Sequence, residues 1–211
     1  MGPEEMEKLR IYLSHTIVEN PFGAYSLRSK EASAALYQRG DTSDAVVKGQ
    51  IAAEVLLDTI LMSMLWEEGL DPADAALEVF EDSLATRVRK QYARRLGGNW
   101  SASGKGPIAA WVWNMARLRG CVVHGNYAPT RDEAKRALTA LDGLDSFLRR
   151  RLVAKRLQYK RTTLMLLGRP GLERLGGWSG QIVKFMDTEA GNEPDWRLTL
   201  KHWRERLNQA R

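Results

Sequence analysis

The sequence predicts an all-α protein, a helical bundle with a partly irregular C-terminal helical extension. Three observations carry that prediction. Apolar residues recur at three- and four-residue steps almost throughout, with no alternating strand of useful length. One apolar segment, from Ala45 to Trp66, is long enough to be a central helix, and start and stop signals punctuate the rest of the chain.

The first expected helix runs from about Glu4 to Glu19, with Leu9, Leu13 and Ile17 on one side, and Asn20-Pro21 stops it. A short helix from about Ser29 to Tyr37 ends at Gly40, a residue suited to a left-handed C-terminal cap. In the Ala45 to Trp66 segment, Val46, Ile51, Val55, Leu57, Ile60, Leu61, Met64 and Leu65 crowd most of the circumference, which predicts burial. Asp71-Pro72 then supplies a cap and a first-turn proline for a helix to about Leu96, stopped by Gly97-Gly98. Asn99 to Gly106 reads as a loop. Pro107 opens the next helix and Gly125 closes it. Thr130-Arg131-Asp132-Glu133 is a capping box for a long helix reaching Tyr159 or beyond, its buried side carrying Ala137, Leu141, Leu144, Leu148 and Leu152. The composition changes at Gly168-Arg169-Pro170-Gly171, and later glycines keep the chain broken until a terminal helix capped by Asp195, with Trp196, Leu200, Trp203 and Leu207 on a narrow stripe.

The 211 residues suffice for one sizeable core and an appendage. We divide them into a bundle over 1–165, its core at about 45–155, and an extension over 166–211 packed on the bundle or on a second subunit. A hydrophobic fraction of 44% and a charged fraction of 27% are ordinary for a globular chain. The lone Cys121 excludes an internal disulfide framework and a cysteine zinc cage. No apolar run approaches the roughly 18 residues of a membrane span, and the start of the chain, with Glu4, Glu5 and Glu7, lacks a signal-peptide pattern. The expected location is the cytoplasm, with no membrane partner.

The net charge of +6 leans towards an anionic partner, and its distribution is uneven. From Glu67 to Asp82 there are seven acids and no Lys or Arg, and Arg87, Arg89, Lys90, Arg94 and Arg95 follow. A second basic stretch runs Arg149, Arg150, Arg151, Lys155, Arg156, Lys160 and Arg161. Two readings stand for such runs, a solvated helix face or a nucleic-acid-facing surface; on the second, the first five of these residues contact RNA.

The most informative stretch is Leu118-Arg119-Gly120-Cys121-Val122-Val123-His124-Gly125. It pairs a fixed cation with the side chain that titrates near neutral pH, a combination able to run acid-base chemistry on a phosphodiester. At 100° per residue, Arg119 and His124 lie about 140° apart on a helix, whereas Arg117 and His124, seven apart, share a face. Either Arg117 accompanies the histidine, or Arg119 meets it through an unwound last turn or a second copy of the chain.

Late in an all-helical chain, after a long buried helix and before a capped one, this stretch resembles the HEPN superfamily over roughly Ala45 to Lys155. Its members are helical bundles that commonly dimerise, and many are metal-independent RNA endonucleases with an arginine, four to six residues, and a histidine as signature. The resemblance implies an antiparallel HEPN-like bundle, a homodimer whose shared cleft cuts RNA, and a setting in a toxin–antitoxin or antiviral defence system with a neutralising protein partner. Arg119 and His124 match the signature as catalytic residues, with Arg117, Glu54, Asn126 and Tyr127 in support. Some toxin members are modified on a tyrosine two residues beyond the histidine; Tyr127 is three beyond and does not take that role. His124 would take the proton of a ribose 2′-hydroxyl or protonate the leaving oxygen, while arginine binds the non-bridging oxygens. Gly120 stands where many active members carry a polar residue, which favours the alternative of a catalytically inactive HEPN-like module that binds RNA or protein.

Glu54, inside the buried helix, is expected to pair, with Arg117, Arg119 or His124 as candidates, or to face the surface. Cys121 reads as a small core residue. Trp111 and Trp113, two apart, point to different sides of a helix, so one belongs to the core and the other lines a dimer interface or stacks on a base. The glycines near Gly168 follow no strand and precede no Lys-Ser or Lys-Thr pair, and His15 and His202 have no metal-ligand spacing. Neither a cofactor nor a metal is expected.

Overall fold

Asp41 starts the longest apolar segment by accepting the Asp44 amide at 2.9 Å, and the helix it caps is the axis around which the others gather. The computed structural model describes residues 20–189 and 193–210, and every element among them is helical. The helix expected from Glu4 to Glu19, and His15 within it, lie outside the described residues.

Helix α1 spans Gly23–Tyr37, starting earlier than the apolar spacing suggested, and Gly40 beyond it takes a positive φ of 71°. Helix α2, Thr42–Glu67, buries Ala45, Val46, Leu56, Leu57, Ile60, Leu61, Met64 and Leu65. The single helix expected from Pro72 to Leu96 is two. Helix α3 covers Pro72–Phe80, and Ser83 accepts the Thr86 amide to start α4, which comprises Leu84–Arg87, a π-helical turn Val88–Tyr92 and Ala93–Leu96. Ser83 is a good N-cap, and a fresh helix start there competes with continuation.

Helix α5 begins with Pro107 and consists of Pro107–Trp111, a π-helical turn Val112–Ala116 and Arg117–Gly125. It approaches α2 closely at Gly49, where an added Cβ would lie 2.7 Å from Met115 Cε. Helix α6, Arg131–Ala154, starts at the expected capping box, with the Thr130 hydroxyl accepting from the Glu133 amide and the Glu133 carboxylate accepting from the Thr130 amide at 2.8 Å. It ends at Ala154 rather than continuing past Tyr159, because residues 155–158 form a turn.

The region read as broken by glycines is largely helical. Helix α7, Lys160–Arg174, is kinked at Gly168, whose φ of 58° and ψ of −178° only glycine adopts without strain. Helix α8 covers Gly180–Glu189 and α9 covers Glu193–Gln209. Leu200, Trp203 and Leu207 of α9 join the same apolar core as α2, with the Trp203 indole donating to the Leu70 carbonyl at 2.8 Å. The tail therefore packs on α2 and α3 of its own chain.

The acidic and basic runs largely meet each other. Arg87 lies 2.9 Å from Asp58, Lys90 3.1 Å from Asp82, Arg94 3.3 Å from Glu78, and the nearly buried Arg95 2.9 Å from both Glu68 and Glu78. Tyr159 donates to the same Glu68 at 2.5 Å, which ties α7's approach to the end of α2. These pairings engage four of the five cations of the first basic run and three of the seven acids of the acidic run.

Candidate functional site

Helix α5 divides into a buried start and an exposed end. Trp111 and Met115 are buried, and the Trp111 indole donates to Gln50 of α2 at 3.0 Å. Through the π-helical turn the helix leaves the core, and none of the residues from Arg117 to Gly125 is buried. Trp113 is 56% exposed, so one of the two neighbouring tryptophans belongs to the core and the other to the surface. Cys121 is also exposed, which corrects the expectation of a core residue: Leu118 and Val122 carry the side of this turn that packs on the core, and Cys121 lies outside it.

The exposed end remains a regular α-helix through His124 and Gly125. Its last turn does not unwind, so Arg119 and His124 keep their separation of about 140° around the axis. No hydrogen bond or ion pair joins them, and among the described residues each lacks any polar partner. Arg117 is the arginine that shares the histidine's face. Its guanidinium carbon lies 4.1 Å from the Trp113 ring centroid, and one turn further on Cys121 and then His124 continue the same exposed stripe.

Asn126, not Gly125, closes the helix. It holds φ 49° and ψ 33° in the left-handed region, and the Asn126 and Tyr127 amides both reach the Cys121 carbonyl. The Tyr127 hydroxyl donates to both Glu133 oxygens at 3.1 Å, so the connection from α5 to α6 is clamped to the capping box. Hydrogen bonds from the Thr130 amide and then its hydroxyl hold the Glu133 carboxyl below the usual glutamate range, and the bond to Glu133 pushes the Tyr127 phenol up. Asn126 and Tyr127 thus shape the end of the motif helix.

Glu54 is half-buried and accepts from the Gln50 amide at 2.9 Å, extending the Trp111–Gln50 link. It forms no ion pair with Arg117, Arg119 or His124. Of the five residues of the second basic run expected to contact RNA, three are engaged inside the protein. Arg149 bonds Asp145 at 2.8 Å, Arg151 donates to the Leu96 carbonyl that ends α4, and Arg156 donates to the Val153 carbonyl at 3.1 Å. Arg150 and Lys155 have no partner among the described residues.

One signal escaped the sequence reading. From Leu84 to Arg131 the chain has no Asp or Glu and nine Lys or Arg. Four of the nine, Arg87, Lys90, Arg94 and Arg95, reach carboxylates on preceding elements. The other five, Arg89, Lys105, Arg117, Arg119 and Arg131, form no ion pair among the described residues, and three of them flank or lie on the exposed end of α5. That end is consequently a cationic surface with an aromatic ring on it. Among the described residues, no group of three or more His, Cys, Asp or Glu is placed to hold a metal ion, and no helix is long and apolar enough to cross a membrane. No family model matches the sequence, and no curated protein or solved structure matches it.

Proposed function

We propose that the chain is a HEPN-type endoribonuclease that works without a metal as a homodimer, with His124 and the arginines of α5 at a cleft shared by two copies. The observation that carries this reading is the exposed His124 on a helix that itself holds no acid, together with arginines that pair with no carboxylate among the described residues. Unpaired arginines held on a regular helix are suited to a phosphate, and an exposed imidazole beside them is suited to proton transfer. His124 would remove the 2′-hydroxyl proton as that oxygen attacks the adjacent phosphorus, or return a proton to the departing 5′-oxygen, leaving a 2′,3′-cyclic phosphate. Arg117 can serve the same face within one copy, and Arg119 points to a second copy because it lies on another side of the helix. Such an activity fits a toxin or antiviral effector held in check by a partner protein.

The separation of Arg119 from His124, together with Gly120, favours one other reading, a HEPN-like module that binds RNA without cutting it. Purified protein incubated with single-stranded RNA in EDTA distinguishes the two. Cleavage that leaves cyclic phosphate ends and disappears in His124→Ala supports the nuclease; cleavage unchanged in that variant overturns it.

A further inference from the structure

We propose that Trp113 and Arg117 form a subsite for one unpaired nucleobase of a single-stranded RNA whose backbone follows α5 towards His124. The inference rests on the ribonuclease reading above and adds to it the form of the substrate. Tryptophan is mostly buried in folded proteins, and Trp111, two residues earlier, is only 2% exposed. Trp113 remains 56% exposed even though Arg117 lies over its ring at 4.1 Å. The arginine therefore fixes the indole by a cation–π contact while leaving apolar aromatic surface in water. A base can stack there, because every base has a π-face and no sequence-specific hydrogen bond is needed.

Charge selects the occupant. The stripe continues through Arg117 to His124, about 10 Å along the axis at 1.5 Å per residue, with the unpaired Arg119 to one side and Arg131 just beyond the connection to α6. No acid lies between Leu84 and Arg131. A second copy pressed directly onto the face of Trp113, Arg117 and His124 would bring cations from both copies together with no acid on that face to answer them, since a two-fold contact uses the same patch twice. A phosphate chain supplies the missing negative charge, and its unpaired bases supply the stacking partner. In a duplex the base faces are already stacked and unavailable.

The test uses non-cleavable 2′-O-methyl oligonucleotides in EDTA: a single strand, the same strand with abasic positions, and a duplex, each titrated against the full chain. The expected result is preference for the single strand, with Trp113→Ala weakening it about 5- to 150-fold, Trp113→Phe recovering much of the loss, and abasic positions weakening the wild type but not Trp113→Ala further. Equal binding of intact and abasic strands by the wild type overturns the subsite. So does a Trp113→Ala protein that sediments as a monomer where the wild type is a dimer, which would make the ring an interface between copies. Cleavage of the unmodified strand is read separately. Trp113-dependent binding without cleavage keeps the subsite and removes the nuclease, and cleavage indifferent to Trp113 does the reverse.

Discussion

The carboxylate of Glu67, the last residue of α2, accepts the Arg161 and Thr162 amides at 2.8 and 3.0 Å and the Thr162 hydroxyl at 2.9 Å, so the end of one helix caps the start of another. Two of the orphan donors at the start of α7 are satisfied in this way, and a negative charge sits at the positive end of the helix dipole. Thr162 is fully buried, so the partners that Glu67 leaves behind cannot turn to water. Glu67→Ala is expected to cost about 2 kcal/mol in urea unfolding, and Glu67→Gln less, since the amide oxygen still accepts.

Residues adjacent in the second basic run are expected to behave differently. The Arg151 Nε donates to the Leu96 carbonyl at 3.0 Å, and its side chain runs against Gly98, where a Cβ would meet it at 3.0 Å. Arg151→Ala should therefore destabilise by about 2 kcal/mol. Arg150→Ala and Lys155→Ala should stay within about 0.5 kcal/mol of the wild type. If these two contact phosphates, each substitution lowers the slope of log affinity for RNA against log salt by about one; unchanged slopes remove them from the RNA path.

The clamp at Glu133 has a definite pH dependence. Its folded carboxyl titrates below the usual value of 4.5, chiefly because the Thr130 amide donates to it. The stabilisation is thus fully present above about pH 4.5 and is lost as the pH falls through the lower folded value. Asp58 has the opposite sign. Burial raises it above 3.8 despite the Arg87 guanidinium, so it makes the fold less stable as the pH rises through its raised folded value. Stability measured across acidic pH should lose the first component in Glu133→Gln and the second in Asp58→Asn.

Two backbone positions around the histidine should respond in opposite directions. Asn126→Val is expected to cost about 1–2 kcal/mol, because a β-branched residue is strained at a φ of 49°, whereas Asn126→Gly should be nearly neutral. Gly120 has no neighbouring atom within 4 Å of an added Cβ, so Gly120→Ala should gain about 0.5–1 kcal/mol from helix propensity alone. Thermal unfolding of the three variants checks both.

Much of this architecture is legible in the chain because local signals and burial agree there. The apolar girth of α2 and the Thr130 to Glu133 box are strong enough to place α2 and the start of α6. Misreadings arise where two local preferences compete. Ser83 restarts a helix that the apolar spacing would carry through, and Gly168 kinks a helix whose glycines resemble a linker. At the candidate site, the seven-residue spacing already sets Arg117 beside His124. Residue type alone misplaces Cys121, because a small apolar side chain is covered only where its side of the helix meets a neighbour, and Leu118 and Val122 take that side here. The acid-free stretch is visible in the sequence, but its meaning emerges only once four of its cations are seen to find carboxylates elsewhere.

The π-helical turn at Val112–Ala116 lets the outward face of α5 tolerate a change in residue count. A π turn holds one residue more than the α turn it replaces, so the extra residue is taken up within the turn. Deleting one residue there would tighten it to an α turn, keeping Trp111 anchored to Gln50 and the arginines and His124 facing as they do now. The same deletion one turn later, inside Arg117–Gly125, would rotate His124 by about 100° against Arg117. Length can therefore vary at the root of this helix without disturbing its exposed face, and cannot vary at its tip.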